Sequence, residues 1–271
     1  MERTTYTSAM LERRPPRGID VTTTLRDFAI VTYAIPPQRL LPHLAPRFAP
    51  ELIDVPGGKR ALISVVPFRD TAFRLAGFPS PGFGFGQTNY RAYVRERPTG
   101  SRAAWFFGTA LDSATVAVPR HVWQLPWHRA RIRFDCDFDA AAGRYTTYSM
   151  RTDGAWGAAR LEIDDSGLPV SELAGFPDLE TALVVLTHPL SGVYHRRDGK
   201  LGGYDVWHDR LTPTVGHCRL ARFDALDTLG LVPFAEQSAP HSVLLQSSTE
   251  FTIYLPPRTL TNPIEEKASA S

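Results

Sequence analysis

Apolar and polar side chains alternate with a period of two through much of this sequence. Between Arg131 and Asp139, Ile132, Phe134, Cys136 and Phe138 share one parity, while Arg131, Arg133, Asp135, Asp137 and Asp139 share the other. Successive side chains of an extended chain point to opposite faces, so this run predicts a strand with one buried and one wet face. Further β-rich runs occur at residues 27–35, 61–67, 88–94, 103–111, 145–150, 157–163, 203–207, 216–223 and 243–255, the last with a break near Ser247. Many short strands joined by Gly and Pro turns predict antiparallel sheets folded into a barrel or sandwich.

Helical signals are few. Asp112 or Ser113 is a good N-cap for a helix over 114–118 or beyond, and residues 177–186 read as a second helix, ended by Thr187-His-Pro189. Residues 224–231 give a short third, and Pro36 to His43 a turn of helix, since proline is tolerated in a first turn. The glycine- and phenylalanine-rich segment 78–86 reads as a flexible aromatic loop at a pocket lip. One domain over residues 20–258 is expected, followed by a disordered tail at 259–271.

Composition narrows the class. With 43% hydrophobic and 21% charged residues in 271, the chain can bury a sizeable core. The formal charge of +2 arises from base interleaved with acid, which is not a nucleic-acid footprint. No apolar run approaches the roughly 20 residues that span a bilayer, and the start lacks a signal-peptide core, so a cytoplasmic protein is expected. Two cysteines make no disulfide framework, and Cys136 and Cys218, set in apolar alternation, read as small core hydrophobes. Lysine occurs only at Lys59, Lys200 and Lys267.

The familiar catalytic signatures are missing. Gly82-Phe-Gly-Phe-Gly86 leads into a strand rather than a helix, which argues against a phosphate cradle. His195, His208 and His217 lack the close helical spacing of a zinc motif, and no Gly-x-Ser-x-Gly elbow is present. No metal and no cofactor is expected.

Five ordered blocks carry a family resemblance: Val65-Val-Pro-Phe68, Gln87-Thr-Asn-Tyr-Arg-Ala-Tyr-Val94, Trp105-Phe-Phe-Gly-Thr-Ala-Leu-Asp112, Arg120 to Trp127, and Ser248 to Arg258. Through them the chain resembles the YqjF-like uncharacterised proteins, a group similar to the acetoacetate decarboxylase superfamily. The resemblance implies a mainly β (α+β) fold: a single antiparallel β-barrel or sandwich domain with a central cavity and a few short helices. It brings no known reaction. In the decarboxylases a proline and a lysine pair follow the equivalent helix, and one lysine forms a Schiff base; here Pro126 precedes Trp127 and His128. The decarboxylases' acidic pair corresponds to Gln87 and His121. A Schiff-base lysine must be desolvated or lie beside another cation, whereas Lys59 and Lys200 sit in turns and Lys267 in the tail.

What remains can still do chemistry. If the face of residues 87–93 that carries Gln87, Asn89, Arg91 and Tyr93 lines the cavity, it offers amide, guanidinium and phenol donors, and arginine binds a carboxylate bidentately. Arg91 could instead pair with Asp112 or Glu96 as a structural bridge. Arg120 adds a second cation, and His121 and His128 are the expected proton-transfer groups. Trp123 and Trp127 would supply apolar walls, and Tyr194 is a further cavity candidate, with His195 beside it. Two function classes follow. One is a lysine-independent lyase, isomerase or cyclase of secondary metabolism acting on a β-dicarbonyl or polyketide-like carboxylic acid. The other is a non-catalytic binding protein for an apolar carboxylic acid. The expected partner is a small molecule, with no nucleic acid or membrane, and the sequence leaves a homo-oligomer open.

Overall fold

The computed structural model describes residues 1–79 and 81–261. Thirteen strands form one continuous sheet. In chain order they are β1 (Val21–Ile35), β2 (Phe48–Pro50), β3 (Leu52–Val55), β4 (Gly58–Leu75), β5 (Phe83–Glu96), β6 (Arg102–Leu111) and β7 (Trp127–Asp139), then β8 (Arg144–Gly154), β9 (Ala159–Pro169), β10 (Ser191–His195), β11 (Leu201–His208), β12 (Thr214–Phe223) and β13 (Ser242–Leu260). The α-helices are short: α1 (Ser8–Leu11), α2 (Pro37–Leu40), α3 (Ala117–Val122), α4 (Leu179–Thr187) and α5 (Asp224–Thr228). All four expected helical segments are present. Ser113 accepts a hydrogen bond from the Thr115 amide and Asp178 from the Thr181 amide, the two caps that set the starts of these segments.

The sheet forks. Strands β13, β1, β4, β5 and β6 lie side by side, and from β6 the pairing continues in two directions. One branch runs through β10 and β11, and β11 pairs back onto β13. The other runs through β7, β8, β9 and β12, and β12 returns to β13. Two barrel-like compartments therefore share the five central strands, and the seam between β1 and β13 joins the two ends of the fold, as in Val21 opposite Ile253. Most pairings are antiparallel as expected. The exceptions are the parallel pairs β6·β7 and β6·β10, which require crossover connections; the α3 segment and the long excursion through α4 supply them.

The two compartments are filled differently. The larger packs Ala29, Val31 and Tyr33 of β1, Tyr90 and Ala92 of β5, Trp105 of β6, Tyr148 and Met150 of β8 and Phe223 of β12 into a solid core. The smaller is closed at one end by α4, whose Val185 and Leu186 pack with Phe28, Val66, Phe68 and Tyr93. Bulges keep the parity correct. Asp27 (φ 50°) interrupts β1 so that Leu25 and Phe28 face the same side, and Ala72 (φ 56°) does the same between Asp70 and Phe73 on β4.

Several strands outrun their sequence signals. β4 continues past Pro67 to Leu75, and β5 begins at Phe83, inside the segment expected to be loop. Gly84 permits this extension, because a Cβ there would lie 2.9 Å from the Asp70 carbonyl. β13 passes Ser247 without a break and includes Thr259 and Leu260, the start of the expected tail; residues 262–271 lie outside the described residues. No helix among the described residues is long and apolar enough to cross a membrane.

Candidate functional site

The smaller compartment holds a cavity of about 490 Å³, within the usual range for a small-molecule pocket. Strand alternation on β5 brings Phe83, Phe85, Gln87, Asn89 and Arg91 to its wall, while Tyr90 and Ala92 face the solid core. Trp123, Leu125 and Trp127 from the α3–β7 connection form another side, and Phe28, Phe68, Phe106 and Phe251 add apolar surface. At the lip Phe73, Phe83 and Phe85 form a ring cluster with centroids 5.1–5.7 Å apart. Of the expected site residues, the cavity collects Gln87, Asn89, Arg91, Trp123 and Trp127.

Polar groups on this wall are few. The Gln87 amide donates to Asn89 Oδ1 at 2.9 Å, and the Thr109 hydroxyl donates to the same oxygen at 2.9 Å. With that oxygen occupied, the Asn89 NH2 is the donor available to a ligand. Arg91 Nη2 donates to the Leu186 carbonyl in the last turn of α4 at 3.0 Å, where the helix dipole favours a cation. Its Nε is buried without a partner, and among the described residues Arg91 forms no ion pair. The bridge alternative fails because its acids are engaged elsewhere: Asp112 accepts from the Ile132 amide and Glu96 pairs with Arg47 at 2.6 Å. A guanidinium on an apolar wall without a counter-charge is set to receive an anion.

Two titratable groups on the wall were not singled out by the sequence as site residues. Asp70 is 3% exposed, and the Thr23 hydroxyl donates to its Oδ1 at 3.1 Å, while Oδ2 is buried without a partner. Desolvation pushes its carboxyl up from 3.8 to about 7, the range in which a carboxyl both gives and takes protons at neutral pH. The signal was hidden because Phe68-Arg-Asp-Thr71 reads as a polar exit from a strand, whereas β4 runs on through the bulge. His208 lies on β11 with its Nδ1 2.8 Å from the Asp209 carbonyl and its ring stacked on Phe251. Burial, with the neighbouring His188 ring 4.6 Å away, pushes it down to about 4, so it is neutral at physiological pH.

The remaining expected residues lie elsewhere. Tyr93 has the same parity as Arg91 but sits beneath α4, where its hydroxyl contacts Ser64 Oγ at 2.8 Å and donates to the Leu186 carbonyl at 3.0 Å. Arg120 turns its Nη1 onto the Trp127 carbonyl and so ties α3 to β7. His121 is exposed on α3. His128 has the opposite parity to Trp127 and stacks on Trp156 with centroids 4.4 Å apart, and burial pushes it down to about 4. Tyr194 is fully buried behind the wall with Phe106 and Leu125, and His195 packs on Trp105. Both thiols are half-buried against the solid core, and desolvation pushes them up to about 12, which suits inert groups.

Trp127 lies where the resemblance places the decarboxylase amine. Lys59, at the exposed start of β4 rather than in a turn, and Lys200, exposed in the β10–β11 turn, both lie away from the cavity, and among the described residues no lysine lines it. No group of three or more metal-ligating side chains occurs among the described residues.

Comparison with solved structures finds similar folds in enzymes. Acetoacetate decarboxylase from Legionella pneumophila aligns over 97% of this chain and 100% of its own, with a TM-score of 0.56 and 14% identity. The enduracididine biosynthesis enzyme MppR, seen with pyruvate bound, covers 94% and 93% with a TM-score of 0.56 and 16% identity. An acetoacetate decarboxylase-like enzyme from Sphingomonas wittichii covers 91% and 95% with a TM-score of 0.57 and 12% identity. At these identities the likeness concerns the fold. Comparison with curated proteins gives no match. The profile of DUF2071, described as an uncharacterized conserved protein (COG2071), matches residues 22–250, and the chain belongs to this YqjF-like family.

Proposed function

We propose that the protein is a lysine-independent enzyme acting by acid–base chemistry on a β-dicarbonyl or polyketide-like carboxylic acid, as a lyase, isomerase or cyclase. The observation that carries this reading is Arg91, a guanidinium without a counter-charge on the wall of an otherwise apolar cavity. Arg91 holds the carboxylate, and the Asn89 NH2, oriented by Gln87 and Thr109, donates to a carbonyl oxygen near that end of the substrate. Asp70 is on the wall and titrates near neutrality, whereas His121 and His128 lie off it; six residues along the ladder from Arg91, it moves a proton at a distal carbonyl of a long, polyketide-like acid. The similar folds of enzymes support a catalytic role. The apolar lining favours a second reading, a non-catalytic binding protein for an apolar carboxylic acid that uses the same arginine.

Replacing Arg91 with methionine tests the shared premise, since it keeps much of the volume and removes the charge. Carboxylate affinity falls by about 1.5–3 kcal/mol, the worth of a charged hydrogen bond, while the melting temperature is maintained. A loss of stability with unchanged affinity in the folded fraction would refute a site role for Arg91. The two readings part in deuterium exchange: an enzyme accelerates exchange beside the distal carbonyl of a bound long-chain polyketide-like acid, and a binding protein does not.

A further inference from the structure

Arg91 and Asp70 stand at opposite ends of one cavity wall. On the β4·β5 ladder Ser64 pairs with Arg91 and Asp70 with Phe85, six residues further along each strand. At about 3.3 Å per residue that is roughly 20 Å of strand, shortened by twist and by the reach of both side chains. Between them the wall presents Val66 and Phe68 from β4 and Gln87 and Asn89 from β5.

Each end carries an unmet polar group. Arg91 Nε lacks a partner, and so does the buried Asp70 Oδ2, on a residue whose strand partners are Leu25 and Phe85. Among the described residues Asp70 forms no ion pair. Buried polar atoms are nearly always satisfied, so two such atoms on one cavity point to a ligand that completes both. A short acid reaches only one of them. A carboxylate beside Asp70 would also meet a like charge when both are ionised, which sets the direction of the ligand.

We infer that the cavity takes an elongate amphiphilic acid, held at its carboxylate by Arg91 and at a distal hydroxyl or carbonyl by Asp70. This rests on the proposed role of Arg91 as the carboxylate anchor and adds the length and the second polar end of the ligand. The neutral carboxyl of Asp70 donates its proton to the distal oxygen, and its Oδ2 becomes part of a hydrogen bond instead of an orphan. The phenylalanine cluster at the lip flanks this distal end.

Calorimetric titration of the wild-type protein with butanoate, dodecanoate and ω-hydroxydodecanoate tests the inference. Dodecanoate binds at least about a hundredfold more tightly than butanoate, because its added methylenes are buried. The ω-hydroxyl tightens binding further, by about fivefold or more. On a purely apolar wall it would weaken binding instead. Asp70→Leu removes or reverses the preference for the hydroxylated acid. Equal affinity for butanoate and dodecanoate, or a hydroxylated acid that binds more weakly to the wild type, overturns the inference yet leaves the Arg91 anchor standing if Arg91→Met still weakens the acids. If Arg91→Met changes no affinity, the anchor itself falls.

Discussion

The two compartments share five strands and differ in what those strands turn toward them. On the solid side large side chains interlock, and three tyrosine hydroxyls find partners: the Tyr145 hydroxyl donates to Asp27 Oδ1 at 3.2 Å, that of Tyr148 to the Asp27 carbonyl at 2.8 Å, and that of Tyr33 to the Gln237 carbonyl at 2.8 Å. On the hollow side Arg91 Nε and Asp70 Oδ2 are left without partners around open volume. The same backbone thus separates stability from binding by parity alone. One residue of β5 serves the core, and the next serves the cavity.

The sharpest way to break this contrast is to empty the solid side. Trp105 is 1% exposed within that core, so Trp105→Ala lowers stability by about 3–5 kcal/mol. Trp123, half-buried on the cavity wall, has open space beside it, and Trp123→Ala lowers carboxylate affinity with a much smaller effect on melting. Similar losses of stability in both variants would mean that the hollow side is no less a core than the other.

Acidity offers the next test. Asp70 ionises near 3.8 in an ordinary environment and near 7 in the folded protein, so the folded state binds its proton more tightly. The stability this confers is complete below about pH 4 and is lost as the pH rises through 7, on the order of 4 kcal/mol for a shift of this size. Asp70→Asn is therefore more stable than the wild type at alkaline pH, and the difference vanishes in acid; thermal melting across pH measures it. His128 and His208 act in the opposite direction: both are depressed to about 4, so the stability they supply above their ordinary 6.5 is lost as pH falls through 4. The Asp70→Asn difference isolates the carboxyl from that background.

A pair of neighbours on β6 sharpens the contrast at smaller cost. Ala103 belongs to the solid core and Ala104 to the cavity wall. Ala103→Leu overpacks its surroundings and destabilises by about 1–3 kcal/mol, whereas Ala104→Leu, with open volume on its cavity side, destabilises less and weakens binding of long acids. The smallest expected effect is none at all. Borohydride treatment with pyruvate leaves the protein mass unchanged, since an imine needs a desolvated amine; a stable adduct at Lys59 or Lys200 would overturn the lysine-independent reading.

Much of this was legible in the sequence, and the gaps have physical causes. Alternation placed Gln87, Asn89 and Arg91 on one face correctly, because β5 is regular over that stretch. It could not show that α4 covers the strand at Tyr93, since that contact joins residues far apart in the chain. The sequence marks both Trp127 and His128 as site residues, whereas adjacent strand residues face opposite sides, and His128 stacks on Trp156 off the cavity wall. Asp70 keeps the parity of Val66 and Phe68, but Arg69-Asp70-Thr71 reads as a polar exit from a strand, and the bulge at Ala72 through which β4 runs on leaves no mark on hydrophobic periodicity.

The seam between β1 and β13 has a consequence for the order of folding. Val21 and Ile253 are partners, and both branches of the sheet close on β13. Pairing such distant segments requires a large loop-closure entropy to be overcome before any contact compensates it, which slows folding. On the ribosome the cavity has no complete wall until β13 has emerged, so ligand capture reports that this strand has been made and has closed the sheet.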